Sequence, residues 1–393
     1  MSPHPAPRTA AARHARFQGR ARLASRVAAP LAMVALAACA AGPRPGQANR
    51  PAAPPPGTPE ATPAVTPAAV RAIVDVLAAD SLEGRASGAR GSMAAARVLA
   101  DAFTRAGLEP AGDPGQLGGY LQRVPMAAGP HGPGEVVLLP GFADVDSVPV
   151  ARRREGGNVV AILRGADPVL RDEAVLVDAH YDHLGVGRPV DGDSVYNGAD
   201  DDASGTAAVL LVARALAAGP RPRRTVVFLL STGEESGLVG TRWYLRHPAW
   251  PIARTVGNLE VEMIGRPDPM AGGPGRAWLT GYDRSTLGAA LAAGGVPLVP
   301  DPRPAEHFFE RSDNIALAWL GVPAHTVSSF ALHADYHTPR DEADRLDYDH
   351  MARVVEATVR ATRLMADGPR PAWRPGGRPV PTAAERATLG VGP

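Results

Sequence analysis

The apolar and polar positions of this chain change period several times, and each change predicts an element. NVVAIL (158–163) and AVLVDAH (174–180) are short runs rich in β-branched residues, the pattern of strands buried on both faces. ASGTAAVLLVARALAAG (203–219) is longer and apolar nearly all round, which predicts a largely buried helix. RTVVFLLS (224–231) predicts another continuous strand, and GLVGTRWYLRH after it a helix. NLEVEMIG (258–265) reads as a strand, RSTLGAALAAGG (284–295) and YDHMARVVEATVRATRLMA (348–366) as helices. Strands alternating with helices predict an α/β fold, a mostly parallel mixed sheet with helices on both faces. In such sheets ligands bind beyond the carboxyl ends of the strands. The residues that follow each strand are therefore the ones to inspect.

Composition bounds the function classes. The chain has 393 residues, 45% of them hydrophobic, enough for a sizeable core. A formal net charge of +1 argues against nucleic acid as a partner. Lysine is absent from the sequence, and six arginines fall within its first 39 residues, which carry no acid. This basic start precedes the short apolar stretch VAAPLAMVALAA and then Cys39, the one cysteine of the chain. A single cysteine forms no internal disulfide. The order of positive segment, short apolar segment and cysteine is that of a secretory leader, and LAAC (36–39) resembles a bacterial lipobox. The expectation is a lipoprotein signal peptide over 1–38, a lipidated Cys39 and a Pro/Ala-rich tether to residue 66. Such a protein is exported and lipid-anchored to the bacterial cell envelope, in the outer membrane or periplasm. Residues 67–366 then form one α/β domain, and 367–393 a loosely held Pro/Gly-rich tail.

The predicted strand ends carry imidazoles and carboxylates. HYDHLG brings His180, Asp182 and His183; NGADDDASG brings Asp200, Asp201 and Asp202; STGEES brings Glu234 and Glu235. NLEVEMIG carries Glu260 and Glu262, and HADYHTPRDE carries His333, Asp335, Tyr336, His337 and Asp341. Singly, each has a plain structural explanation: acids cap helices, and turns are polar. As five sets at strand ends, without thiolate, they suit zinc or a similar divalent ion. A GxSxG elbow, an HExxH helix and a GxxxxGK[ST] loop are absent from the sequence.

AHYDHLG, NGADDDASG and STGEESGLVG, in this order, resemble the di-zinc peptidase family of secreted bacterial leucyl aminopeptidases, aminopeptidase Y, glutamate carboxypeptidase and glutaminyl cyclase. The looser matches are RSDN (311–314), LGVPAH (320–325) and DYHTPRDE. The resemblance covers about residues 67–366 and implies a single zinc-peptidase domain of the phosphorylase/hydrolase-like type. It implies two Zn2+ ions, or similar divalent ions: His180 on one, Glu235 and His337 on the other, and Asp201 bridging. Glu262 is expected on the His180 ion, with Glu260 as a rival on the same strand face. Glu234 is the implied general base, acting on a metal-bridged water. Asp182 is the carboxylate near the His180 imidazole, and Tyr336 stabilises the oxyanion. The implied function is a zinc-dependent exopeptidase, an aminopeptidase acting on peptides. A carboxypeptidase or dipeptidase is the alternative, with a glutaminyl cyclase or a non-catalytic binding domain ranked lower. Phe308 or Phe309 is a candidate for an apolar substrate pocket, or for plain core. The oligomeric state is left open.

Overall fold

The computed structural model describes residues 65–132 and 134–390. The expected leader, Cys39 and nearly all of the tether lie outside them.

Six strands form the middle of a nine-stranded sheet: β1 (Gly157–Leu163), β2 (Ala174–His180), β3 (Thr225–Ser231), β4 (Thr255–Val261), β5 (Ala277–Leu279) and β6 (Ala324–Ser328). Their spatial order is β1-β3-β2-β4-β6-β5. β3, β2, β4 and β6 are mutually parallel. β1 and β5 flank them antiparallel, and short segments extend the sheet beyond both. This is the mixed, mostly parallel α/β sheet that the alternating pattern predicts.

The continuous apolar runs have a direct cause. Along β1, Val159, Ala161 and Leu163 pack into one buried cluster, while Val160 and Ile162 pack into another across the sheet. Val226, Phe228 and Leu230 of β3 alternate with Val227 and Leu229 in the same way. Successive side chains of a strand point to opposite faces, so a strand covered twice has no polar positions to alternate with.

Helices α1 (Pro67–Leu77), α2 (Arg90–Arg105), α3 (Gly205–Ala218), α4 (Val239–Arg246), α5 (Asn314–Trp319), α6 (Tyr348–Asp367) and α7 (Ala383–Leu389) supply that cover. One face takes α1, α2, α3 and α6, through residues such as Val74, Phe103, Val209 and Val354. The other takes α4, α5 and α7, through Tyr244, Ile315 and Leu389. α3 is buried nearly all round, as its sequence predicts, with Arg214 its exposed interruption. α1 begins on Pro67, with the Thr66 side chain accepting from the Ala69 N–H at 3.1 Å.

The C-terminal segment departs from expectation. The loosely held tail is instead pinned along its length. Arg370 pairs with Glu173, the Trp373 indole donates to the Gly321 carbonyl at 2.9 Å, and Arg246 donates to the Leu389 carbonyl at 2.8 Å. α7 starts with a capping box between Thr382 and Glu385, and Leu389 is 1% exposed. A few anchors suffice to hold a Pro-rich segment, and composition shows only the segment between them.

Candidate metal centre

The parallel strands β3, β2, β4 and β6 end on the same side of the sheet, and the chemistry-bearing residues collect there. His180 is the last residue of β2, paired in register with Ser231 of β3. Glu234 and Glu235 lie in the turn after β3, Glu262 directly follows β4, and Tyr336 and His337 lie in the segment after β6. Asp201 comes from the turn that precedes α3.

The three aspartates of NGADDD have three tasks. Asp200 accepts from the Gly265 N–H at 2.6 Å and faces His333 Nε2 at 3.0 Å. Asp202 accepts from the N–H groups of Gly205 and Met263 at 2.9 and 3.0 Å. These two tie the turn to α3 and to the end of β4. Asp341 accepts from the N–H groups of Asp200 and Asp201, each at 3.0 Å. Asp201, clamped from both sides, directs its own carboxylate inward. Its Oδ1 lies 3.2 Å from His180 Nε2, and its Oδ2 lies 3.1 Å from His337 Nε2. The two oxygens of one carboxylate thus face two different imidazoles.

Around Asp201 the donors fall into two sets, His180–Asp201–Glu262 and His183–Asp201–Glu235, with ligand atoms within 4.8 Å of one another in each. His337 joins the second, its Nε2 3.3 Å from Glu235 Oε2. Among the described residues, His180 Nε2, His337 Nε2, both nitrogens of His183 and Glu235 Oε1 are buried without a hydrogen-bond partner. Buried polar atoms without partners are costly. Unpartnered imidazole nitrogens converging on carboxylate oxygens fit a pair of divalent cations. Coordination would satisfy His180 Nε2, His337 Nε2, Glu235 Oε1 and one of the two His183 nitrogens.

The charges respond to this crowding. Burial pushes the Asp201 carboxyl up, but His183, His180 and His337 together hold it well below the usual range. Burial, then the neighbouring Glu262 and Glu235 charges, raise the Glu234 carboxyl well above its ordinary value, against the pull of His180. Glu262 is pushed up to about 7, first by burial and then by Asp201, again against His180.

Glu260 and Glu262 are separated by their partners. Glu260 is fully buried and accepts four hydrogen bonds: from Ser312 Oγ, from the N–H groups of Asp313 and Asn314 at 3.0 Å each, and from Thr326 Oγ1 at 2.8 Å. It ties the start of α5 to β4. Burial, with Glu262 and Asp313, pushes it up to about 8 despite these donors. Glu262 lines the cavity together with Asp201, Glu234 and Glu235.

Asp182 has two neighbours. Its Oδ1 accepts from the Glu234 N–H at 3.2 Å and lies 3.7 Å from His180 Nδ1, which is hydrogen-bonded instead to the Asp182 backbone carbonyl at 3.2 Å. Tyr336 lines the same cavity, its ring stacked on His337 with centroids 3.8 Å apart. Trp278, Phe308 and Phe330 form the apolar wall, with Trp278 and Phe308 stacked at 5.0 Å. Of the two phenylalanine candidates, Phe308 faces this cavity. Phe309 packs instead with Ile315 and Ala316 of α5 in the core cluster on the far face of the sheet.

Sequence reasoning missed two residues. His183 was visible in HYDHLG but received no role. Arg85 is 0% exposed and donates to the backbone carbonyls of Tyr181, Leu77, Asn197 and Gly198, at 2.5–2.9 Å. It fastens the His180 and Asp201 segments to α1. Its place among small residues in LEGRASGARG gives no sign of this.

A family model described as "Peptidase family M28" matches residues 158–362, more than half of the chain. The chain belongs to peptidase family M28. Curated relatives include a vacuolar membrane protease of Penicillium rubens, 29% identical over 239 residues, covering 54% of this chain and 22% of that protein. One from Tuber melanosporum is 30% identical over 226 residues, with 54% and 21% covered. This M28 chain thus spans about a fifth of the length of the curated relatives it matches. Among solved structures, its fold is similar to a zinc aminopeptidase from Bacillus subtilis (TM-score 0.57, 14% identity, 77% of this chain and 96% of that one). An aminopeptidase from Aneurinibacillus sp. strain AM-1 (0.53, 17%, 78% and 95%) and a glutaminyl cyclase from Porphyromonas gingivalis (0.50, 16%, 76% and 97%) share the fold. No helix among the described residues of the M28 chain is long and apolar enough to cross a membrane.

Proposed function

We propose that this M28 chain is a two-zinc aminopeptidase, removing N-terminal residues from peptides. The observation that carries this reading is Asp201, whose two oxygens face His180 and His337 separately, beside a glutamate that belongs to neither donor set. His180, Asp201 and Glu262 would hold one ion; Asp201, Glu235 and His337 would hold the other. Bound there, the pair supplies Lewis acidity, polarising the scissile carbonyl and making water easier to deprotonate. Glu234 takes the proton from the attacking water and returns it to the leaving amine. Asp182 holds the Glu234 backbone and orients the His180 imidazole. The Tyr336 hydroxyl, on the cavity wall, donates to the oxyanion as it forms. Trp278, Phe308 and Phe330 receive an apolar side chain next to the bond that is cut.

The exopeptidase mode draws on structural relatives, two of which are aminopeptidases. One observation favours the carboxypeptidase or dipeptidase alternative. Arg311 lines the cavity, its guanidinium 5.0 Å from the Phe308 ring centroid, and forms no ion pair among the described residues. A free C-terminal carboxylate would suit it. Aminoacyl-nitroanilides assayed beside N-blocked peptides decide between the modes. Cleavage confined to substrates with a free amine supports the aminopeptidase; activity only on N-blocked substrates with a free C-terminus refutes it.

The lipid anchor at Cys39 rests on the order of basic start, short apolar run and LAAC. Fatty-acid labelling of cells should mark the wild type and not Cys39→Ser; an unlabelled wild type refutes the anchor.

A further inference from the structure

Both halves of the Asp201 centre use imidazole, but not in equal number. His183 is 1% exposed and stands at the Glu235 half. Its Nδ1 lies 2.8 Å from Glu235 Oε1 and 3.8 Å from Asp201 Oδ2. Its ring meets that of His337 edge to face, with centroids 5.7 Å apart. The two imidazoles thus flank the same carboxylate pair.

At 2.8 Å a hydrogen bond to Glu235 would be expected, yet neither His183 Nδ1 nor Glu235 Oε1 has a partner in hydrogen-bonding geometry. The N–H direction does not point at the oxygen. His180 Nε2 and His337 Nε2 are in the same position, 3.1–3.3 Å from carboxylate oxygens and without a hydrogen bond. Donor atoms that come close without hydrogen-bonding to one another suit ligation of a shared cation. Gly198 keeps the His183 ring in place. At φ +57° it presses on the imidazole so closely that a Cβ there would lie 2.4 Å from Cγ.

We propose that His183 is a further ligand of the ion held by Glu235 and His337, so that the two halves of the centre bind metal unequally. This rests on the two-ion reading above. The Glu235 half then has four protein donors, two imidazoles and two carboxylates. The His180 half has three: His180, Asp201 and Glu262. Four protein donors close a zinc site and tighten it, while three leave a position for substrate. The His180–Glu262 half is the more labile and more open one.

The test is zinc content of the full-length protein at graded chelator concentrations, with the visible spectrum of the cobalt-substituted protein as a second readout. The wild type should release its ions in two separate steps. His183→Ala should weaken the tighter step by at least about 100-fold, beyond the range usual for losing a group outside the coordination sphere. His183→Gln, which preserves more of the side-chain volume, guards against a collapsed fold. In both variants the cobalt spectrum should change, because it reports the donor set. Wild-type zinc affinity and spectrum in both variants would overturn the proposal. Weakened affinity with an unchanged cobalt spectrum would overturn it too, because His183 would then act from outside the coordination sphere. A wild type that binds no zinc would refute the two-ion reading itself, a different result from either.

Discussion

Replacing Glu260 and Glu262 separately should split stability from metal binding. Glu260→Ala strands the N–H groups of Asp313 and Asn314 and the hydroxyls of Ser312 and Thr326 around a buried void. An orphaned buried donor costs about 1–3 kcal/mol. The two backbone groups alone come to about 2–6 kcal/mol, and the hydroxyls can rotate toward other acceptors. Glu262→Ala removes a carboxylate from the cavity wall and relieves Glu234 and Glu260 of a like charge. Its metal-free form should therefore lose less than about 1 kcal/mol. Denaturant unfolding in chelator measures both, and zinc content after dialysis completes the comparison. The expected result is a metal-free Glu260→Ala that is several kcal/mol less stable, and a Glu262→Ala of near wild-type stability that retains less zinc. The reasoning is refuted if Glu262→Ala keeps its full zinc while Glu260→Ala loses zinc at unchanged metal-free stability.

Two predictions concern buried residues outside the donor sets. Arg85→Met orphans four buried carbonyls, so the metal-free protein should lose at least about 3 kcal/mol in denaturant unfolding; a loss under about 1 kcal/mol would contradict the clamp. His325 donates from Nδ1 to the Thr280 carbonyl and meets Ser285 Oγ at 2.7 Å, and burial lowers it from 6.5 to about 4. The unfolded chain then binds this proton first, so the contribution is complete above pH 6.5 and lost as pH falls toward 4. It amounts to about 3 kcal/mol. His325→Gln should flatten that part of the stability–pH curve, and equal slopes in both proteins would refute it.

The sheet was legible because burial on both faces leaves a mark that needs no context, an unbroken run such as TVVFLL. The centre was legible because ligand-type residues concentrate at element ends: HYDHLG and TGEES end or follow such a run, and NGADDD opens onto the buried helix α3. What residue pattern alone could not divide was labour within a cluster, which only the family resemblance assigned. Asp200, Asp201 and Asp202 are chemically identical, and only the clamps from Asp341, Gly265, Met263 and Gly205 separate the inward carboxylate from its neighbours. Glu260 and Glu262 share a strand face, so periodicity cannot rank them; the turn at Ser312–Asn314, some fifty residues on, engages the first. Arg85 acts through backbone carbonyls, which carry no side-chain identity to read. The tail was misjudged because its anchors, Glu173, Gly321 and Arg246, lie far away in sequence.

The central claim is that Glu234 moves the proton while its neighbour Glu235 holds metal. Zinc stoichiometry and kcat for Glu234→Gln and Glu235→Gln, measured side by side, test it most directly. Glu234→Gln should keep both ions and its KM while kcat falls by about 10²–10⁴-fold. Glu235→Gln should lose zinc together with activity, and added zinc should restore part of both. Near-normal turnover by a fully zinc-loaded Glu234→Gln would contradict the account.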